Sequence, residues 1–209
     1  MSFSLNEVEA MAKRATRGAG YPWGLAEEAS KATRWLCARG LDGCGVLAGL
    51  LARDFCADLG AHSPRDLAGD WQGDETLCPI MAGAALSDRS EALRSGSVQM
   101  AEMAFPVFLM PFAAGSARAL DGVLTVECDT WRGVTDGDTV ALSGTDERQT
   151  GRVRITLGGQ VSERHPQFTR ATPDTADWAV LQSYAQKTYA PATEQSRLLG
   201  AGAGVSDND

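Results

Sequence analysis

Two histidines, His62 and His165, are all that this 209-residue chain holds. Imidazole is the commonest general base near neutral pH, so the supply for acid–base or nucleophilic chemistry is poor. The five cysteines (37, 44, 56, 78 and 128) are odd in number and widely spaced, without a CxxC pair, and neither histidine lies in an HxxxH pattern. Structural zinc sites draw two ligands from one short loop. A Cys/His metal centre is therefore not expected, and the thiols read as buried and inert in a reducing compartment. No GxGxxG follows a strand, and no GxxxxGK precedes Ser or Thr, which removes the loops that cradle phosphates. Basic charge is also short: the formal net charge is −8 and the pI about 4.8. Phosphate backbones are bound through a basic face, so nucleic acid is excluded as a partner. Long apolar runs are missing too. The longest weakly polar stretch, 104–114, is about half of the roughly 20 residues a membrane helix needs, and it contains Pro106 and Pro111. The first residues show no basic segment followed by an apolar run. A soluble cytoplasmic protein with no membrane partner is the expectation. Lysine (three, against 16 arginines) and isoleucine (two) are scarce as well. That pattern fits the codon bias of a GC-rich bacterial genome and lowers the weight of any single arginine.

What is present suffices for a core. Apolar residues make up 44% and charged residues 22%, ordinary for a globular domain and enough to fold without disulfide or metal staples. Ser4 and Glu7 form a capping box. Leu5, Val8, Met11 and Ala15 then recur at helical spacing until Gly18 and Gly20. A second helix is predicted from about Leu25 to Arg39, with Leu25, Ala29, Ala32 and Leu36 as its apolar stripe and Gly40 as its stop. A third is predicted over about 44–59, burying Leu47, Leu50, Leu51 and Phe55. Residues 60–77 read as a long polar connection around one large aromatic, Trp71. Such loops are often functional, the alternative being a linker between a helical and a sheet part.

Over 78–158 the period changes to two. Leu124, Val126 and Cys128 alternate with Thr125, Glu127 and Asp129, and Val153, Ile155 and Leu157 alternate with Arg152, Arg154 and Thr156, as half-buried strands do. Asp121-Gly122 and Asp136-Gly137 read as hairpin turns. The stretch 104–114 is the expected central strand, with 98–103 beside it. Thr172-Pro173-Asp174 starts a C-terminal helix through Trp178, Leu181, Ala185 and Tyr189, and a short second helix is predicted over 191–199. Helices, then sheet, then helices define an α+β class: N-terminal helices (4–59), the long loop (60–77), a central antiparallel β-meander (78–158) and C-terminal helices (172–209), read as a single domain over 1–209.

Four groups of residues are candidate sites. Tyr21 and Trp23 flank Pro22 at a helix entry, where aromatics cover a ligand and backbone N–H groups hold an anion; the structural alternative is that they staple the helix onto the core. Glu127 and Asp129 share the wet face of a strand end beside Cys128, Trp131 and Arg132. Crowded carboxylates become general acids; the favoured alternative is cross-strand pairing with Arg152 or Arg154. Cys78 is a candidate nucleophile with His62 or His165 as base, against a buried thiol at a strand start. At the C-terminus, the oxygens of Asp207, Asn208 and Asp209 are the one place for a hard divalent cation; the alternative is a flexible Gly-Ala tail.

Two of these stretches carry a resemblance. The segment Tyr21-Pro22-Trp23-Gly24-Leu25-Ala26-Glu27-Glu28 and the run Gly200 to Asp209, ending Ser206-Asp207-Asn208-Asp209, resemble an uncharacterised bacterial family of domains of unknown function. The resemblance extends over essentially the whole chain. It implies a single unit in which both ends matter, and it transfers no activity and no catalytic residue.

The functional expectation is a non-enzymatic small-molecule-binding or accessory module, a homo-oligomer without a cofactor, with Tyr21, Trp23, Trp131 and Arg132 as ligand-binding residues. The alternative is an enzyme, an acid-based hydrolase or lyase using Glu27, Asp129 or Asp207 (or Cys78), with or without a divalent cation. Acids converging in one pocket distinguish the enzyme, and a smooth apolar groove distinguishes the binding module.

Overall fold

The N-terminal capping box forms as its residues dictate. In a computed structural model that describes residues 1–144, 150–162 and 166–189, Ser4 Oγ accepts from the Glu7 N–H and Glu7 returns the bond to the Ser4 N–H at 2.7 Å. It opens helix α1, Leu5–Gly18, directly after the two-residue strand β1, Phe3–Ser4. Helix α2 runs Trp23–Ala38 and buries Ala26, Ala29, Ala32 and Leu36. Small residues at helical spacing let α1 and α2 pack closely. Helix α3 is shorter than the periodicity suggests: it spans Gly43–Leu51, and a 3-10 turn at Phe55–Asp58 follows. Asp54 stands between them in the left-handed region (φ 54°), which ends the helical ladder.

The expected sheet over 78–158 is the main correction. Its first part is helical: α4, Pro79–Asp88, a 3-10 turn at Ser90–Arg94, and, after strand β2 (Val98–Ala104), a second 3-10 turn and α5, Met110–Leu120. The stretch 104–114 is therefore no central strand. Apolar side chains on every side suit a buried helix as well as a buried strand, and Pro106 and Pro111 occupy first-turn positions where a missing N–H costs nothing. Helix α4 lies against α5 because residue 83 is glycine; a Cβ there would fall inside the Phe112 ring. Asp121-Gly122 is likewise not a hairpin. Asp121 caps α5 in the left-handed region (φ 50°) and the Gly122 N–H bonds Ala117 O at 2.9 Å.

The sheet proper comprises β2, β3 (Leu124–Cys128), β4 (Trp131–Thr135), β5 (Val140–Gly144) and β6 (Thr150–Leu157), in the order β2-β6-β3-β4-β5 and antiparallel throughout. Only β3-β4-β5 is a meander. Strand β6 returns to lie between β3 and β2, so β2 pairs with β6 and not with a strand over 104–114. Asp136-Gly137 does sit in the β4–β5 turn, where Asp136 accepts bonds from the Asp138 and Thr139 N–H groups. One face packs on helix: Val98, Ile155, Val126, Gly133 and Leu142 lie in register across it, and α5 contacts β3 and β4. Strand β7, Arg170–Ala171, pairs with β1, and helix α6, Thr175–Gln186, packs against α1 and α3. The helix expected over 191–199 lies outside the described residues. The architecture is α+β, and among the described residues no helix is long and apolar enough to cross a membrane.

Candidate functional site

The uncovered face of the sheet carries a polar row that crosses all five strands. Register aligns Gln99 with Arg154, Arg154 with Glu127, Glu127 with Arg132, and Arg132 with Ser143. The side chains are linked. Arg154 Nη2 donates to Gln99 Oε1 at 3.2 Å, Arg132 Nε stands 3.6 Å from Glu127 Oε1, and Arg132 Nη2 donates to Thr125 Oγ1 at 3.4 Å. Glu127 thus takes Arg132 as its ionic partner as well as facing Arg154. The Arg154–Gln99 and Arg132–Glu127 contacts are exposed, and an exposed ion pair is worth roughly 0–1 kcal/mol, so their meaning lies in position more than in stability.

The long connection turns this face into a cleft. Residues 71–77 run beside β2 as an added parallel edge: Trp71 N–H bonds Gln99 O, Ala101 N–H bonds Trp71 O, and Leu77 and Ala104 repeat the exchange. Trp71 and Leu77 are buried. The loop is braced internally by the Arg65–Asp74 pair at 2.6 Å and by Arg65 N–H on Gln72 O. Asp70 and Gln72, on either side of Trp71, thereby become one wall of a cleft of about 580 Å³. Gln99 and Ala101 form its floor beside Arg152 and Arg154 of β6, and Glu127, Cys128 and Asp129 close the far side. Strand β2 shifts register between Met100 and Met103, opposite Arg152, and such bulges re-aim side chains beside sites. Among the described residues Arg152 makes no hydrogen bond or ion pair, although it stands in the same cleft as three carboxylates.

A second cavity, about 460 Å³, lies between the α2–α3 corner and β4–β5. It is mainly apolar, lined by Leu36, Leu41, Val46, Val107 and Leu142 with Asp42 and Ser143. Trp131 forms part of its wall, 5% exposed, and among the described residues its indole N–H has no acceptor.

The residues singled out by sequence are scattered. Tyr21 is 2% exposed, its hydroxyl 3.4 Å from Cys78 Sγ, and burial together with that thiol raises its pKa. Trp23 stands exposed at the start of α2 with Arg17 and Lys13 over its ring. Glu27 pairs with Lys13 at 2.5 Å, and that contact holds its carboxyl below the usual range, opposite to what a general acid requires. Cys78 caps α4 rather than starting a strand, and burial pushes its thiol up. His62 turns Nδ1 to Thr76 O at 2.8 Å and Nε2 toward Glu75, while the Cys78 sulfur meets Tyr21. His165, Asp207, Asn208 and Asp209 lie outside the described residues. Among the described residues no group of three or more His, Cys, Asp or Glu is placed to hold a metal ion. Among the described residues, Tyr21 meets Cys78 in the core, and Glu127, Cys128, Asp129, Trp131 and Arg132 come together at the β3–β4 hairpin, around a shallower depression that also includes Ser143.

Reading by local pattern missed Asp70, Gln72 and Gln99, and took Arg152 and Arg154 only as pairing partners. The available signal was the single large aromatic in an otherwise polar loop, since a buried Trp71 has to pin that loop to something.

Comparison with known proteins gives a match over part of the chain and little chemistry. The family model described as a protein of unknown function (DUF3726) matches residues 3–88, which is α1 to α4 with the long connection. No curated protein matches the chain. Among solved structures, malate dehydrogenase from Entamoeba histolytica is similar with a TM-score of 0.42 and 9% identity, over 75% of this chain and 49% of that one. The chain thus spans about half the length of that protein.

Proposed function

We propose that the protein is a small-molecule-binding module whose site is the polar cleft beside β2. The observation that carries this reading is Arg152, unpartnered among the described residues and two positions from Arg154 on the same strand face. Arginine offers a fork of donors matched to a carboxylate or phosphate, and a cleft already holding two of them is suited to an oxyanion. Asp70, Glu127 and Asp129 surround that point, and the chain carries a net charge of −8. A bare polyanion is repelled by those carboxylates, so the charge pattern favours a compact zwitterion, such as an amino acid, with its carboxylate on Arg152 and its cationic end toward the acids. The acid-based hydrolase or lyase reading has less support: of its candidate acids among the described residues, Asp129 lines the cleft and Glu27 is paired with Lys13 away from it. A second reading, an apolar ligand beside Trp131, is favoured by the indole N–H, which has no acceptor among the described residues, since an unpaired buried donor costs about 1–3 kcal/mol.

Thermal shift against amino acids and simple carboxylates tests the first reading. A ligand at about 100 times its Kd stabilises by about 2.7 kcal/mol, roughly 5–10 °C in Tm for a domain of this size. Arg152→Ala should weaken binding roughly 10- to 150-fold, the loss of one charged hydrogen bond. No shift with any such ligand, or an undiminished shift in the variant, overturns the reading.

A further inference from the structure

Cys37 lies in the last turn of α2 and Cys44 in the first turn of α3, and their sulfurs stand 3.9 Å apart. Gly40, at φ +71°, turns the chain between the two helices. Residue 43 must be small, because a Cβ there would approach Thr33 O to 2.6 Å and Cys37 Sγ to 3.0 Å. The corner is therefore drawn tight around the two thiols. Both are buried, at 5% and 1% exposure, yet both line a cavity of about 420 Å³ that opens past Phe168, Pro173 and Asp174.

The two sulfurs are not equivalent. The Cys44 thiol is in contact with the Cys37 sulfur, and the Gly43 and Cys44 N–H groups at the start of α3 also face that sulfur; these contacts lower the Cys37 pKa. Cys44 moves up, held as a thiol by Cys37, by burial and by Asp42 and Asp177. Arg170, Asp42 and Asp174 are the charged groups lining the cavity itself. One sulfur disposed to be a thiolate with a second thiol touching it is the arrangement of an attacking and a resolving cysteine. Cys56, though more exposed, is pushed up to about 11 by burial, by Cys78 and by Asp54.

We propose that Cys37 and Cys44 are a redox-active pair that forms a reversible intramolecular disulfide with a hydroperoxide as oxidant. The Cys37 thiolate attacks one peroxide oxygen, the O–O bond breaks, and Cys37 becomes a sulfenic acid as hydroxide leaves. The Cys44 sulfur then attacks the Cys37 sulfur, the S–O bond breaks, and the oxygen departs as water with the Cys44 proton. The proton first lost by Cys37 neutralises the hydroxide. In sum, two thiols and one hydrogen peroxide give one disulfide and two waters, with two electrons passing to the peroxide. A disulfide bond of about 2.05 Å needs the sulfurs, 3.9 Å apart, to close by just under 2 Å. The pair is separate from the cleft and does not depend on the function proposed for it.

Peptide mapping of the full chain tests this. The reduced protein is treated with hydrogen peroxide under native conditions, remaining thiols are alkylated, and the digest is kept non-reducing. Trypsin cuts after Arg39, so a Cys37–Cys44 bond joins peptides 35–39 and 40–53. The expected result is a fall from five free thiols to three, with those peptides linked and released by dithiothreitol. In Cys44→Ser, dimedone should label Cys37 as its sulfenic acid. The proposal is overturned if Cys37 and Cys44 stay reduced while Cys56 or Cys128 oxidises, if all thiols survive, or if the link forms only in urea.

Discussion

Replacing Trp71 by alanine removes the side chain that fastens the 60–77 connection to the sheet. Trp71 is 1% exposed, and its main chain exchanges hydrogen bonds with Gln99 and Ala101 of β2. A buried tryptophan removes about 150–250 Å² from water, or about 4–6 kcal/mol at 25 cal/mol per Å². The unfolded chain already hides part of that surface, which brings the expected loss to about 3–5 kcal/mol, the usual range for Trp to Ala in a core. The indole bond to Leu67 O is long at 3.3 Å and adds little. Out of a total stability of about 5–15 kcal/mol, such a loss lowers the urea midpoint strongly at nearly constant m. Hydrogen exchange should show the Trp71 and Ala101 amides losing protection beyond the global change, because the added edge peels away from β2. A loss under about 1 kcal/mol, typical of a surface position, would refute the docking of this segment and remove one wall of the cleft.

Other outcomes follow from local contacts. Gly83→Ala gains about 1 kcal/mol of helix propensity, but its Cβ meets the Phe112 ring; steric cost wins, and denaturation should show a net loss of about 1–2 kcal/mol. Ser4→Ala should cost about 1 kcal/mol through the lost N-cap, read from the same melts. Glu7→Gln tests the partner of that cap. The Ser4 backbone N–H, then its side chain, hold the Glu7 carboxyl below its ordinary 4.5, so its contribution is present above that value and lost as pH falls through the lowered one. Wild type should be the more stable at pH 7, and the two proteins should converge in acid; a constant difference down the acid limb would contradict the assignment.

Local chemistry was legible in the sequence and long-range placement was not. The Ser4–Glu7 box and the alternation of β3 and β6 are written within a few residues, and both stand where expected. Asp174, rather than Thr172, caps α6, a shift within the same start signal. Helices α4 and α5 escaped because their residues are apolar or small on all sides, and burial on every side erases the period that separates helix from strand. The insertion of β6 between β2 and β3 is a non-local pairing with no local mark. The same holds for the cleft. Glu127 and Asp129 announced themselves as acids on one strand face, but only the run of 71–77 along β2 brings Asp70 and Gln72 opposite them. Cys37 and Cys44 looked like unrelated thiols because their meeting depends on how tightly the Gly40–Asp42 corner turns.

The central claim, that the polar cleft is the binding site, is tested most directly by mapping amide shifts in the labelled protein during titration with an amino acid. Perturbations should concentrate at residues 70–72, 99–101, 127–129 and 152–154, and should be lost in Arg152→Ala. Shifts confined to Leu41, Val46 and the Trp131 indole would place the ligand in the apolar pocket, and shifts scattered over the surface would remove the cleft as a site altogether.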